Sequence, residues 1–217
     1  MLRQLLLRLY ERLALNAMAT GDYGRAERML RKMEGYEGRT RRVLHNLAVV
    51  RMGLGDYADA EKLLFAEIDA YGAAPALLRA LAEAGYLSGN RDRAASHLRT
   101  ALADTGCPDR ELLKRRATIC ADPALYEAAM AGKRAFAEGT RLRDGGDPDG
   151  AITAFRRAAD ADPTDFIALN NLGTLLLNHA KDTAGAIRAF EQASMVSDQP
   201  FLRANLAAAR EAATRPR

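Results

Sequence analysis

Gly146-Asp147-Pro148-Asp149-Gly150-Ala151-Ile152-Thr153-Ala154-Phe155-Arg156-Arg157-Ala158-Ala159-Asp160-Ala161-Asp162-Pro163 reads as one amphipathic helix with its punctuation attached. A glycine turn leads in, an alanine and a phenylalanine four residues apart share a helical face, and a proline closes the segment. The chain then continues Phe166-Ile167-Ala168-Leu169-Asn170-Asn171-Leu172-Gly173 and returns to Ala184-Gly185-Ala186-Ile187-Arg188-Ala189-Phe190. Ala186 and Phe190 repeat the spacing of Ala151 and Phe155 after 35 residues. The stretch is thus the second helix of one helix-turn-helix unit followed by a whole second unit. Gly173 is expected where the second helix of its own unit crosses, because a side chain there would block close approach. Pro163 is expected to end one helix and open the next, with Asp162 as its cap.

The same spacing recurs upstream. Ala26/Leu30, Ala60/Leu64, Ala94/Leu98, Ala151/Phe155 and Ala186/Phe190 follow one another at intervals of 34, 34, 57 and 35 residues. The preceding turns agree: Gly21-Asp22-Tyr23, Gly55-Asp56-Tyr57, Gly89-Asn90-Arg91 and Gly146-Asp147-Pro148, with Lys181-Asp182-Thr183 as the departure. First-helix pairs recur as Leu13-Ala14, Leu47-Ala48, Leu81-Ala82, Leu172-Gly173 and a trailing Leu206-Ala207. This pattern closely resembles the tetratricopeptide repeat (TPR), with its Leu-Gly pair, its Ala-x3-aromatic segment, its proline and its period near 34 residues. The resemblance implies an all-α fold: a right-handed superhelical array of antiparallel helix pairs, a TPR-like α-solenoid. About five repeats plus a C-terminal capping helix are expected. One such pair cannot bury its apolar face alone, whereas stacked pairs build a continuous core.

The 57-residue interval is 23 residues longer than the period, room for one added helix and an extended neighbour. Asp104-Thr105-Gly106-Cys107-Pro108-Asp109 breaks the array, and Arg110 to Ile119 reads as a short basic helix. After Ala121-Asp122-Pro123 a long helix is expected from Ala124 to about Arg143. The expected organisation is an N-terminal lobe of three repeats over 1–106, an inserted helix and linker over 107–122, and a C-terminal lobe of two repeats and the cap over 123–217.

Of the 217 residues 48% are hydrophobic, which is enough for a real core, and most of the 7 prolines fall at inferred helix boundaries. A net charge of +4 is only mildly basic over this length, so nucleic acid is not expected as a partner. Cys107 and Cys120 read as partly buried free thiols of a reducing compartment, with a disulfide across the insert as the alternative. His45, His97 and His179 are scattered and no metal-ligand spacing occurs; neither metal nor cofactor is expected. The first twelve residues carry charges every few positions, which excludes a spanning segment there, and no secretory signal is recognised. Leu2, Leu6, Leu9, Tyr10 and Leu13 make a helical stripe with basic residues between them. It reads either as a membrane-surface helix or as the first helix of repeat one, and the register of Leu13-Ala14 favours the second. The expected localisation is cytoplasmic.

Members of this family line a concave groove with their first helices, and carrying that over position by position nominates peptide-binding residues. In the N-terminal lobe these are Arg8, Arg12, Arg42, His45, Asn46, Arg79 and Tyr86, with Glu11, Leu15, Val49 and Glu83 among them. In the C-terminal lobe they are Lys133, Phe136, Asn170, Asn171, Thr174 and Asn178, with Thr140 and Arg143 beside them. The N-terminal set leans basic, and guanidinium groups pair with carboxylates, so an acidic or C-terminal carboxylate peptide is the expected ligand. The two-Lys, two-Asn, one-Arg clamp with which some members grip a chaperone tail is absent: only Asn46 matches, and Glu11, Leu15, Ala76 and Ala80 occupy the other places. The asparagine stripe is suited to bonding an extended peptide's backbone. No phosphate loop or nucleophile–base spacing is found, so no enzyme is expected. The leading expectation is a non-catalytic protein-interaction module. Behind it stand a self-assembling scaffold through N-terminal helix docking and, lower, an RNA-binding helical repeat, because no aromatic residue lies among Arg110, Lys114, Arg115 and Arg116.

Overall fold

The computed structural model describes residues 2–214. Among them are twelve helices and no strand: α1 Leu2–Ala19, α2 Tyr23–Glu37, α3 Arg41–Gly53, α4 Tyr57–Tyr71, α5 Pro75–Leu87, α6 Arg91–Ala103, α7 Arg110–Ala121, α8 Pro123–Asp144, α9 Pro148–Ala161, α10 Phe166–Asn178, α11 Thr183–Val196 and α12 Pro200–Thr214. The all-α class and the succession of packed helix pairs agree with the sequence. α1 packs on α2, α3 on α4, α5 on α6, α8 on α9 and α10 on α11, and α7 is the added helix. The chain divides into two compact units, Met1–Pro108 and Asp109–Arg217. None of the described helices is long and apolar enough to cross a membrane.

The first unit is three copies of one solution. In each turn a glycine takes positive φ (Gly21 77°, Gly55 78°, Gly89 83°), a conformation that costs a side chain energy. The next residue caps the second helix: Asp22, Asp56 and Asn90 accept from the backbone N–H of Arg25, Asp59 and Arg93. The second helices then bury Ala26 and Leu30, Ala60 and Leu64, Ala94 and Leu98. Opposite them Ala14, Ala48 and Ala82 are fully buried in the first helices, small enough to let each pair close.

The second unit repeats the device with larger partners. Gly146 (φ 81°) precedes the cap Asp147, and Lys181 (φ 56°) precedes the cap Asp182, so the departing fifth turn keeps its left-handed residue without glycine. Ala151 and Phe155, and Ala186 and Phe190, are buried. A Cβ on Gly173 would lie 2.7 Å from the Phe190 ring, and one on Gly139 2.9 Å from the Phe155 ring, so both crossings are made by a glycine under an aromatic face. The added helix α7 packs on α8. Buried Arg116 anchors it further, its Nε donating to Thr164 Oγ1 at 3.3 Å. α12 closes the unit with Leu202 and Ala209 buried.

One boundary expectation is corrected. Pro163 does not open α10, and Asp162 is not its cap. α9 ends at Ala161 and α10 begins at Phe166. The Asp162 carboxylate folds back locally, accepting from the Thr164 N–H at 2.9 Å and hydroxyl at 2.6 Å. Asp165 is the cap, accepting from the Ala168 N–H at 2.8 Å. Both cysteines are buried free thiols, and Cys107 Sγ donates to the Pro75 carbonyl at 3.5 Å.

Candidate binding faces of the two units

The first helices of the Met1–Pro108 unit carry the nominated basic residues, and their neighbours neutralise part of that charge. Arg42 on α3 lies between two carboxylates, Nη1 at 2.9 Å from Glu11 of α1 and Nη2 at 2.9 Å from Glu37 at the end of α2. Arg79 on α5 pairs with Glu83 one turn on, at 3.0 Å. The His45 imidazole stands 3.3 Å from the carboxylate of Glu67, which is buried in α4. Tyr86 is fully buried and leaves the nominated set, because at its place in α5 the side chain points into the core rather than to solvent. Arg8 and Arg12 on α1 are exposed, and neither has a hydrogen-bond or ion-pair partner among the described residues. Asn46 is half-buried, and its amide is likewise unpartnered.

The Arg42 arrangement has a measurable consequence. The guanidinium is 44% exposed, so its ion pairs contribute little, and Arg42→Ala is expected to cost under about 1 kcal/mol. Arg42→Glu places a third carboxylate beside Glu11 and Glu37 and is expected to cost about 1–2 kcal/mol at low salt, recovering as salt screens the repulsion. Urea melts of both variants at two salt concentrations check this; equal midpoints would mean that the three groups do not sense one another.

In the second unit the polar stripe of α10 is present, but its members differ in freedom. Asn170 Oδ1 accepts from Asn205 of α12 at 2.8 Å, so this amide ties the capping helix down. Thr174 Oγ1 donates back to the Asn170 carbonyl at 2.9 Å. Asn178 is exposed at the end of α10, where its carbonyl accepts from Lys181. Asn171 is half-buried with no side-chain partner among the described residues. On α8 the ring of Phe136 meets Phe155 edge-on at 5.5 Å and is half-buried with the core, and burial lowers the pKa of Lys133.

Asn46 and Asn171 therefore stand out from the nominated residues. Each directly precedes the leucine that packs the helix crossing, Leu47 in α3 and Leu172 in α10, so each holds the same place in its repeat. Their amides can donate and accept at once, which a peptide backbone requires. Among the described residues no group of three or more His, Cys, Asp or Glu side chains could hold a metal ion.

The family model for the tetratricopeptide repeat matches residues 11–75, 45–111 and 136–200. Solved structures similar to this chain include MamA 41-end from Desulfovibrio magneticus RS-1, 16% identical over 88% of this chain and 94% of that one, with a TM-score of 0.49. A thermophilic TPR protein in Thermus thermophilus is 18% identical over 96% and 99%, with a TM-score of 0.42. The TPR2AB-domain:pHSP90 complex of yeast Sti1 is 15% identical over 95% and 84%, with a TM-score of 0.45. No curated protein matches the chain.

Proposed function

Because this chain belongs to the tetratricopeptide repeat family, whose members are in general protein-interaction modules, we propose that it is a non-catalytic module binding an extended segment of a partner protein along its first-helix faces. The observation that carries this is the pair Asn46 and Asn171, equivalent in register, half-buried and without side-chain partners among the described residues. Each amide reaches solvent at the edge of the helix face, where a bound backbone can replace its water partners. Contacts of this kind hold a peptide without reading its side chains. The acidic preference expected from the nominated arginines draws less support, since Glu11, Glu37 and Glu83 already face Arg42 and Arg79.

The test is selection of binders from a displayed random-peptide library, followed by affinity measurement on Asn46→Ala and Asn171→Ala. Asn46→Ala is expected to weaken peptides bound by the first unit about tenfold, and Asn171→Ala those bound by the second, the worth of a hydrogen bond or two in each. Peptides that bind both variants as tightly as the parent chain would remove these amides from the function.

A further inference from the structure

The outer face of α1 is not used by the fold. α1 buries Ala14 and Ala17 and packs Leu7, Tyr10 and Met18 against the core of its unit. The opposite side carries Leu5 (65% exposed), Leu9 (40%) and Leu15 (47%). At 3.6 residues per turn these three leucines, with Arg8 and Arg12 between them, fall within about a third of the helix circumference. Leu5 and Leu9 form one row one turn apart, and Arg8 and Arg12 form another. Both arginines lack partners among the described residues, and the single acidic residue of α1, Glu11, is committed to Arg42. A cavity of about 230 Å³ at the edge of this face is lined by Gln4, Leu7, Arg8 and Arg42, room for a small anionic group beside two guanidiniums and an amide.

We propose that the outward face of α1 docks on an anionic lipid surface, its leucines entering the interface and Arg8 and Arg12 taking lipid phosphates and carboxylates. Two features favour a lipid surface over a second protein. Arg8 and Arg12 lie between Leu15 and the row of Leu5 and Leu9, and burying two guanidiniums without partners in a dry protein interface is costly. A headgroup layer, by contrast, accepts both at once, because an arginine stem lies along the apolar boundary while its guanidinium stays among phosphates. The charge has the right sign: two unpartnered cations on one face of a chain with net charge +4. The contact is shallow, so association is weak, reversible and sensitive to salt. It leaves the packing of α1 in the array intact, since those two faces are opposite, but Arg12 stands at the repeat position of Asn46, so at α1 the lipid surface takes the place of a bound segment.

The test is co-sedimentation of the full chain with vesicles of phosphatidylcholine alone and of phosphatidylcholine mixed equally with phosphatidylserine. Expected is partition onto the mixed vesicles only, falling as salt rises. Each arginine near an anionic leaflet is worth a factor of about five, so Arg8→Gln with Arg12→Gln should lower partition about 25-fold. Leu5→Ser with Leu9→Ser should lower it several-fold, and neither pair should change the circular dichroism melt, since all four side chains are at the surface. The proposal is overturned by equal partition onto both vesicle types, by absence of partition onto either, or by partition that survives the arginine pair. It is equally overturned if light scattering finds a dimer that the leucine pair returns to 23.6 kDa, which would make a second copy the occupant of this face.

Discussion

Gly173→Leu is expected to abolish cooperative unfolding of the Asp109–Arg217 unit, with a cost well above about 3 kcal/mol. A Cβ at this position already meets three Phe190 ring atoms at 2.7, 2.9 and 2.9 Å. The ring cannot swing aside, because Phe190 is 1% exposed and packed among Ala151, Leu172, Leu176 and Ala186. The magnitudes separate two substitutions. Gly173→Ala gains about 1 kcal/mol of helix propensity and loses about 1–3 kcal/mol to overpacking, leaving a net cost of about 0–2 kcal/mol. Leucine adds three more carbons to the same gap with no further propensity to gain, so α10 and α11 must part. Gly35→Leu is the control: Gly35 is also helical, but a Cβ there meets nothing within 4 Å. Gly35→Leu should leave the melt unchanged or raise it slightly. Identical melts for the two leucine variants would mean that α10 and α11 do not cross at Gly173.

The two units are expected to respond to pH in opposite directions. In the second unit, protein atoms enclose the Asp165 carboxylate although part of the residue reaches solvent, and this desolvation pushes its pKa up to about 6, with nearby Asp162 adding to the effect. The Ala168 N–H and Arg116 act against it. A carboxyl whose folded pKa exceeds its unfolded value stabilises the fold at low pH, and that contribution is lost as pH rises through about 6. In the first unit, burial lowers the pKa of His97, although Glu61 beside it opposes the shift. A histidine with a depressed folded pKa contributes stability that is present above its unfolded value near 6.5 and is lost as pH falls below it. Between about pH 7.5 and 5.5 the second unit should therefore gain from Asp165 while the first loses from His97. Hydrogen exchange read on peptides of each unit, corrected for intrinsic rates, measures both slopes. Asp165→Asn keeps an oxygen to cap Ala168 and removes the buried charge. It should stabilise the second unit by about 1–2 kcal/mol at pH 7.5 and flatten its pH dependence. Destabilisation at pH 7.5 would show that the charged cap outweighs desolvation.

The repeat architecture was legible because its signals are local. Ala26/Leu30 through Ala186/Phe190 lie on single helices, and their four-residue spacing and 34-residue return need no knowledge of neighbours. Gly173 as a crossing point was legible for the same reason. Its counterpart Gly139, under Phe155, was not recognised: it lies 34 residues earlier, but Glu138 rather than leucine precedes it, so the pair pattern is broken where the spacing is intact. The α9–α10 boundary was misplaced because proline and aspartate allow more than one turn. Asp162 bonds Thr164 and leaves the cap to Asp165, a choice made by side-chain geometry and not by residue type.

By itself the sequence determined the helical class, the copies, the added helix and the small residues at the crossings, since each follows from periodicity along one chain segment. Tertiary structure alone decided which nominated side chains remain available to a partner. Arg42 is held by carboxylates 31 and 5 residues away, Asn170 by an amide 35 residues away, and Tyr86 is turned inward, whereas Asn46, Asn171, Arg8 and Arg12 have no partners among the described residues. Pairing of this kind depends on distances across helices, which fall off in effect within a few ångströms, and a one-dimensional pattern carries no such distances.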